Sequence, residues 1–340
     1  MLTKDVWNLS EQGFPGTSPI ELQLQFLLRY AILAPSVRNT QPWSFRVEGN
    51  VVHLRAARQR ELPVADPDQR ELYISLGCAL ENLLVAAEHF GFRHEVVYFP
   101  DPEDDGLAAT ITFTPGGTAT PARSWIALDA IVTRHNDNSV YRTTPVPEEV
   151  RRALQACRME PDLRLDLSDD NVFFRWIERF TLDADRREFA DPGFREELAH
   201  WISQGVLRGP GLVAKLEGLA VSRLDLGESM AERDYRVVDS AALIGLISAG
   251  DDTHLTHIRT GQFFERLWLT ATTMGANINP MSQTMRRPEL RTAVAELIPE
   301  GWTPQHRTPQ HLFRVGYSSR SDTRHTPRLP LDEVLGDPAA

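Results

Sequence analysis

Residues 70–91 read RELYISLGCALENLLVAAEHFG, and residues 254–275 read HLTHIRTGQFFERLWLTATTMG. In register, Gly77, Glu81, Leu83, Ala87 and Gly91 recur as Gly261, Glu265, Leu267, Ala271 and Gly275, while Leu80, Leu84 and Phe90 meet Phe264, Trp268 and Met274. Apolar spacing of three and four predicts helices over 70–90 and 255–274, the first with Leu72, Leu76, Leu80, Leu83, Leu84 and Ala87 inward. Each ends at a glycine, the residue favoured just past a helix C-terminus. Chance likeness between amphipathic helices is the competing explanation. Two glycines and a glutamate in register favour an internal duplication.

Other elements line up around these helices. Residues 18–33 predict a helix capped by Ser18, with Pro19 in the first turn, Glu21 completing a capping box, and Leu22, Phe26, Tyr30 and Leu33 on one face. Gly49 and Asn50 turn a hairpin between WSFRV and VVHLRA. RHEVVYF and ATITF read as strands, and TPGGTATPA (114–122) as the linker. Helices follow near 124–134 and from Pro147 to Cys157, with strands at LRLDL (163–167) and HLFRVGY (311–317). Two helices broken at Asp191-Pro192-Gly193 look like an inserted lid or crossover.

Composition narrows the function. The 340 residues are 41% hydrophobic and 24% charged, ordinary for globular proteins. A net charge of −11 argues against nucleic-acid binding. Lys4 and Lys215 are the only lysines, so any bound anion meets mainly guanidinium forks. Two isolated cysteines, Cys78 and Cys157, fit a reducing cytoplasm. With no signal pattern at the N-terminus and no apolar run of membrane length, a cytoplasmic protein without membrane association is expected.

His254 and His257 could share a helix face, but no supporting ligand is spaced for a metal, and none is expected. His306 and His311 read as solvated. Arg208-Gly209-Pro210-Gly211 reads as a turn between helices and not a dinucleotide fingerprint. No catalytic dyad stands out.

The segment Ala34-Pro35-Ser36-Val37-Arg38-Asn39-Thr40-Gln41-Pro42-Trp43 is the most informative for chemistry. A helix halting at Pro35 before small and amide residues leaves backbone donors and side-chain acceptors able to clamp a planar heterocycle. A polar loop anchored by buried Trp43 is the plainer reading.

This segment resembles the A-P-S-x-x-N-x-Q-P-W signature of the nitroreductase superfamily. Arg134-His135-Asn136-Asp137-Asn138 resembles its basic phosphate and ribityl element, GANINPMSQ (275–283) the turn against flavin N5, and Arg328-Leu329-Pro330 its C-terminal basic element. With RRPELR following, the chain is most similar to the Acg-like branch, in which two halves are fused. The resemblance implies an α+β, nitroreductase-like fold with half-repeats at 1–120 and 121–340 forming a pseudo-dimer. A helical insertion is expected over about 171–235.

It further implies one FMN per chain, held by Pro35, Ser36, Val37 and Asn39 from one half and by Arg134, Asn136, Asn138, Pro280, Met281, Ser282, Gln283 and Arg328 from the other. Asn138 stands where the family usually carries a cation near flavin N1 and O2, with Arg142 a nearby candidate substitute. The implied function is FMN-dependent hydride transfer through N5, with NAD(P)H a candidate reductant and a small quinone- or nitro-like acceptor, or the reverse dehydrogenation. The alternatives are an FMN-sequestering protein with little turnover and a flavin-free role. A monomer is expected, its dimer-like interface being internal.

Overall fold

Two four-stranded antiparallel sheets with the same strand order carry the chain. The computed structural model describes residues 1–207, 212–223, 237, 239–297, 308–319 and 325–336. The first sheet holds β1 (Trp43–Glu48), β2 (Val51–Ala56), β3 (Phe92–Tyr98) and β4 (Leu107–Pro115) in the order β1-β2-β4-β3. The second holds β5 (Leu163–Ser168), β6 (Leu243–Ala249), β7 (Asn277–Pro280) and β8 (Thr308–Gly316) in the order β5-β6-β8-β7. In each, a 20-residue helix joins the second strand to the third: α2 (Arg70–His89) and α8 (His254–Thr273). A shorter helix precedes each sheet, α1 (Ile20–Ala31) and α4 (Glu148–Ala156). This is an α+β fold of two half-repeats related as in a dimer.

The paired helices α2 and α8 cross at the duplicated glycines. A Cβ on Gly77 would fall on the carbonyl of Ile258 and against Gly261; one on Gly261 would fall on the carbonyl of Ile74. Neither helix could approach the other with any larger residue there. Gly91 and Gly275, which end these helices, take φ of +80° and +76°, the left-handed conformation that favours glycine.

The halves differ in what they add. Between β5 and β6 the second inserts α5 (Asn171–Ala190), α6 (Pro192–Ser203) and α7 (Leu212–Arg223). Asp191 caps α6 by accepting from the Gly193 amide at 2.8 Å, with Pro192 in the first turn. Between β7 and β8 it adds α9 (Ser282–Met285) and α10 (Pro288–Leu297). The C-terminal segment then returns to the first half: the Phe45 amide donates to the Val334 carbonyl and the Gly336 amide to that of Phe45, at 2.7 and 2.8 Å. Among the described residues, no helix is long and apolar enough to cross a membrane.

Several expectations need correction. Ser18 does not cap α1, whose first residue follows Pro19; the Glu21 carboxylate instead accepts from the Gly49 amide at 2.9 Å. Leu22 is half exposed, and the buried face is Leu24, Phe26, Leu27, Leu28, Tyr30 and Ala31. The helix expected over 124–134 shrinks to α3 (Asp129–Thr133), because Arg123 sits in a turn that directs its side chain onto Glu81 and Glu88. His311 is buried against Phe264, with ring centroids 4.1 Å apart, because β8 is buried nearly throughout. The expected turn at 208–211, His306 and part of the insertion lie outside the described residues.

Candidate cofactor site

Past α1 the chain tightens into a strained loop. Arg38, Asn39 and Gln41 all take left-handed φ, at 50°, 58° and 54°, a conformation that is unfavourable for non-glycine residues. Hydrogen bonds hold it from several directions. Ser36 Oγ accepts from the Gln41 amide at 2.9 Å, and Gln41 Oε1 accepts from the Leu329 amide at 2.7 Å. Asn39 Nδ2 donates to the carbonyls of Val206 and Pro327 at 2.7 and 2.8 Å. The loop thereby ties together the first half, the insertion and the C-terminal segment.

A cavity of about 170 Å³ opens at this junction, lined by Pro35, Ser36, Arg38, Asn39, Arg134, Asn136, Pro280 and Arg328 together with Trp7, His135, Leu207, Trp268, His325 and Thr326. Seven residues expected at the cofactor site therefore meet around one space: Pro35, Ser36, Asn39, Arg134, Asn136, Pro280 and Arg328. The other five lie off it. The Val37 amide donates to Ser75 Oγ at 3.2 Å, and its side chain packs on the apolar cluster under α6. Met281 is buried in the second half's own core. Ser282 Oγ accepts from Arg286 at 3.0 Å, and Gln283 follows it on α9. The Asn138 side chain accepts from Asn279 Nδ2 at 2.7 Å. Asn279 also donates to Asn136, so one amide bridges a residue on the cavity and one beside it. Arg142 is exposed.

The cavity is cationic and short of anions. Arg328 is buried; it donates to Asn39 Oδ1 at 2.8 Å, Thr326 Oγ1 at 2.6 Å and the Ala34 carbonyl at 3.1 Å, and its guanidinium lies 5.0 Å from the Trp7 ring centre. Burial and then the neighbouring Arg134 push it down to about 9, with Glu265 opposing. Arg134, also buried, donates to the Leu33 carbonyl at 2.9 Å and lies 4.5 Å from the Trp268 ring centre. Burial and then Arg286 lower Arg38 to about 10, with Glu188 opposing.

The Nε atoms of all three arginines, and His325 Nδ1, have no hydrogen-bond partner among the described residues. His325 stacks on Trp7 at 4.0 Å; burial and then Arg134 push it down to about 4, leaving the imidazole neutral near pH 7. Guanidiniums stay charged at that pH. Arg38 pairs with Glu188 at 3.6 Å and Arg134 with Glu265 at 3.2 Å, whereas Arg328 has no carboxylate partner among the described residues, so an entering anion would meet one unpaired guanidinium.

Four of the lining residues gave no signal in the sequence. Trp7, Leu207, His325 and Thr326 reach the cavity only through long-range folding. Trp268 could have been found: it follows Glu265 by one helical turn on the duplicated helix. Helices α5 and α6 of the insertion are tied down. Glu197 accepts from the Val64 and Ala65 amides at 2.8 and 3.1 Å, while buried Glu188 accepts two hydrogen bonds from Arg286 at 2.9 and 2.8 Å. His257 pairs with Asp252 at 2.9 Å, and His254 stacks on Tyr73.

Two four-stranded halves joined along a central helix pair, with a cationic cavity at their junction, make this a fused two-half α+β protein. A Mycobacterium tuberculosis (strain H37Rv) protein named as a candidate NAD(P)H nitroreductase, Rv3131, is 30% identical over 321 residues, covering 91% of this chain and 90% of its own. The acg protein of the same strain, named likewise, is 27% identical over 338 residues, covering 94% and 97%. The chain belongs to this nitroreductase family of oxidoreductases. No protein-family model matches it. A crystal structure of the FMN-dependent nitroreductase NfnB from Mycobacterium smegmatis in complex with NADPH covers 60% of this chain and 94% of its own at 17% identity, with a TM-score of 0.40.

Proposed function

We propose that the protein is an FMN-dependent oxidoreductase that binds one FMN per chain in the cavity between its halves. The observation that carries this reading is the convergence of Arg134 and Arg328 from distant parts of the chain, both buried, each with an Nε that has no hydrogen-bond partner among the described residues. That donor set fits a phosphate monoester. Ser36, Asn136 and Pro280 line the remainder beside it. Bound there, FMN would supply two-electron chemistry at N5, passing hydride equivalents between a reductant such as NAD(P)H and a small quinone- or nitro-like acceptor.

The chain's own residues bind and shield. Arg134 and Arg328 would hold the phosphate; Trp7 and Trp268, packed on those guanidiniums, exclude water from the ion pairs and so strengthen them. No side-chain acid or base is required. The volume of about 170 Å³ is small beside the ~300–1,000 Å³ of sites that enclose a whole drug-sized ligand. The enclosed part suits the phosphate end of the cofactor.

The tied-down insertion favours a second reading, FMN storage with little turnover. One experiment separates the two. The purified protein's visible spectrum reports bound flavin, and anaerobic NADH or NADPH should bleach it within seconds if the protein is a reductase. A flavin that binds but resists bleaching supports storage; absence of binding by FMN-supplemented protein overturns both.

A further inference from the structure

Glu81 and Glu265 occupy the same position in the duplicated helices, yet their surroundings differ. Glu81 accepts from Arg123 Nε and Nη2 at 2.7 and 2.9 Å, and from Arg266 Nε and Nη2 at 2.7 and 3.0 Å. Burial opposes its ionisation, but Arg123 and Arg266 outweigh it and bring the carboxyl to about 2. Glu265 is equally buried. Among the described residues its one ion pair is with Arg134 Nε at 3.2 Å, off the angle of a hydrogen bond, and neither of its oxygens has a hydrogen-bond partner. The arginine it touches lines the cavity.

We propose that Glu265 is the exchangeable counterion of the anion site: it neutralises Arg134 while the cavity lacks phosphate, and takes up one solvent proton when a phosphate monoester pairs with Arg134 in its place. This positioning role rests on the reading that Arg134 receives the flavin phosphate.

The charges facing Glu265 bear this out. Arg134 and Arg328 approach from the cavity side, and Glu81 and the buried Cys78 thiol from α2. His135 and His325 lie beside the arginines. Burial, with Glu81 adding to it and Arg134 and Arg328 opposing, raises Glu265 to about 7. A phosphate dianion near Arg134 adds like charge and withdraws the cation's help, so both changes favour the protonated acid. The proton is exchanged with solvent: above pH 7, where Glu265 is ionised in the empty site, one proton enters with the anion and leaves with it.

Glu265→Gln mimics the protonated acid and is the decisive variant. FMN affinity is measured from pH 5.5 to 8.5 for wild type and variant, with riboflavin as the ligand lacking phosphate. The second ionisation of the phosphate is common to both proteins and cancels in their ratio. The affinities should agree near pH 5.5. Above pH 7 the wild type should fall behind by about tenfold per pH unit, reaching about 10- to 30-fold at pH 8.5; riboflavin should show no such divergence. A ratio that is flat across this range overturns the proposal.

A second measurement does not depend on flavin. Side-chain carboxyl ¹³C resonances, with Glu265→Gln as the assignment control, should show Glu265 titrating near neutrality and moving upward when inorganic phosphate is added. Titration in the ordinary carboxylate range, or indifference to phosphate, overturns it. If neither protein binds flavin, the proposed function fails while this titration still decides the role of Glu265.

Discussion

Arg134→Ala isolates the phosphate grip from the rest of the site. A charge-assisted hydrogen bond is worth ~1.5–3 kcal/mol, so its removal should weaken FMN roughly 10- to 100-fold. The structure argues that little else changes. Among the described residues Arg134 makes a single hydrogen bond, to the Leu33 carbonyl, and that carbonyl also accepts from Arg328 at 3.3 Å, so no buried acceptor is orphaned. Glu265, left without its cation, stays protonated near neutral pH and adds no bare charge to the interior. The loss of contact with the Trp268 face should lower stability by about 1 kcal/mol. The assay is titration of apoprotein with FMN and with riboflavin, followed by quenching of flavin fluorescence. Riboflavin should bind the variant within about threefold of wild type. Equal weakening of both ligands would show that Arg134 supports the cavity wall and does not meet phosphate, and the assignment of the anion site would be wrong.

Other changes should separate support from binding. Arg328→Ala should weaken FMN to a similar extent but also lower the melting temperature, because that guanidinium holds Asn39, Thr326 and the Ala34 carbonyl; an unchanged melting temperature would contradict this. Gly77→Ala sets a methyl group on the Ile258 carbonyl, and overpacking of ~1–3 kcal/mol should exceed the ~1 kcal/mol gained in helix propensity; a stabilised variant in denaturant titration would contradict the crossing of α2 and α8. Asn138→Lys should leave the flavin midpoint potential unchanged in an anaerobic dye titration, since this side chain points to Asn279; a rise of tens of millivolts would place position 138 against the ring. Glu265→Gln should alter stability with a defined sign. A carboxyl whose pKa rises from 4.5 to about 7 on folding destabilises the native state progressively over that interval. The variant should therefore gain relative to wild type as pH rises, by about 3 kcal/mol at most above pH 7, and a constant difference from pH 5 to 8 would refute the shift.

Helices were legible in the sequence wherever one face is apolar, as at 70–90 and 255–274, because burial on one side imprints a period on the chain. Strand β6 gave no such signal: LIGLISA is buried at every position, and an unbroken apolar run carries no alternation. Residues 277–280 lie in the segment whose likeness to the family's N5 turn implied a turn, yet tertiary pairing with β8 makes them a strand. At the site, the basic and amide residues announced themselves by type and order, and the cavity gathers most of them. Met281 and Asn138 could not be placed in this way. Whether a residue beside a turn faces a cavity or a core is decided by a rotation of the chain that composition does not record. The aromatic walls were hidden for a related reason: Trp7 meets His325 and Arg328 only because the C-terminal segment crosses back over the first half.

The asymmetry of the two central glutamates supplies a physical reason for the proposed single anion site in a chain of two equivalent halves. Arg123 and Arg134 both leave the segment joining the halves, and each finds one copy of the duplicated glutamate. At Glu81 the charges close upon themselves. Arg266 joins Arg123, Glu160 joins Arg266 at 3.0 Å, and Glu88 joins Arg123 at 2.8 Å, so this end of the helix pair is neutralised internally. An anion entering there would have to displace buried carboxylates that already hold their partners, at several kcal/mol for each broken pair. At Glu265 the position following the glutamate on the partner helix is Asn82 in place of an arginine, and it donates to the Tyr30 carbonyl at 3.3 Å. Arg134 is therefore left facing a cavity with Arg328 beside it and one weakly ionised carboxyl behind it. The duplicated helices carry two equivalent glutamates; Arg266 closes the site of one, and the other is left with the weaker pairing to Arg134 that the proposed anion site requires.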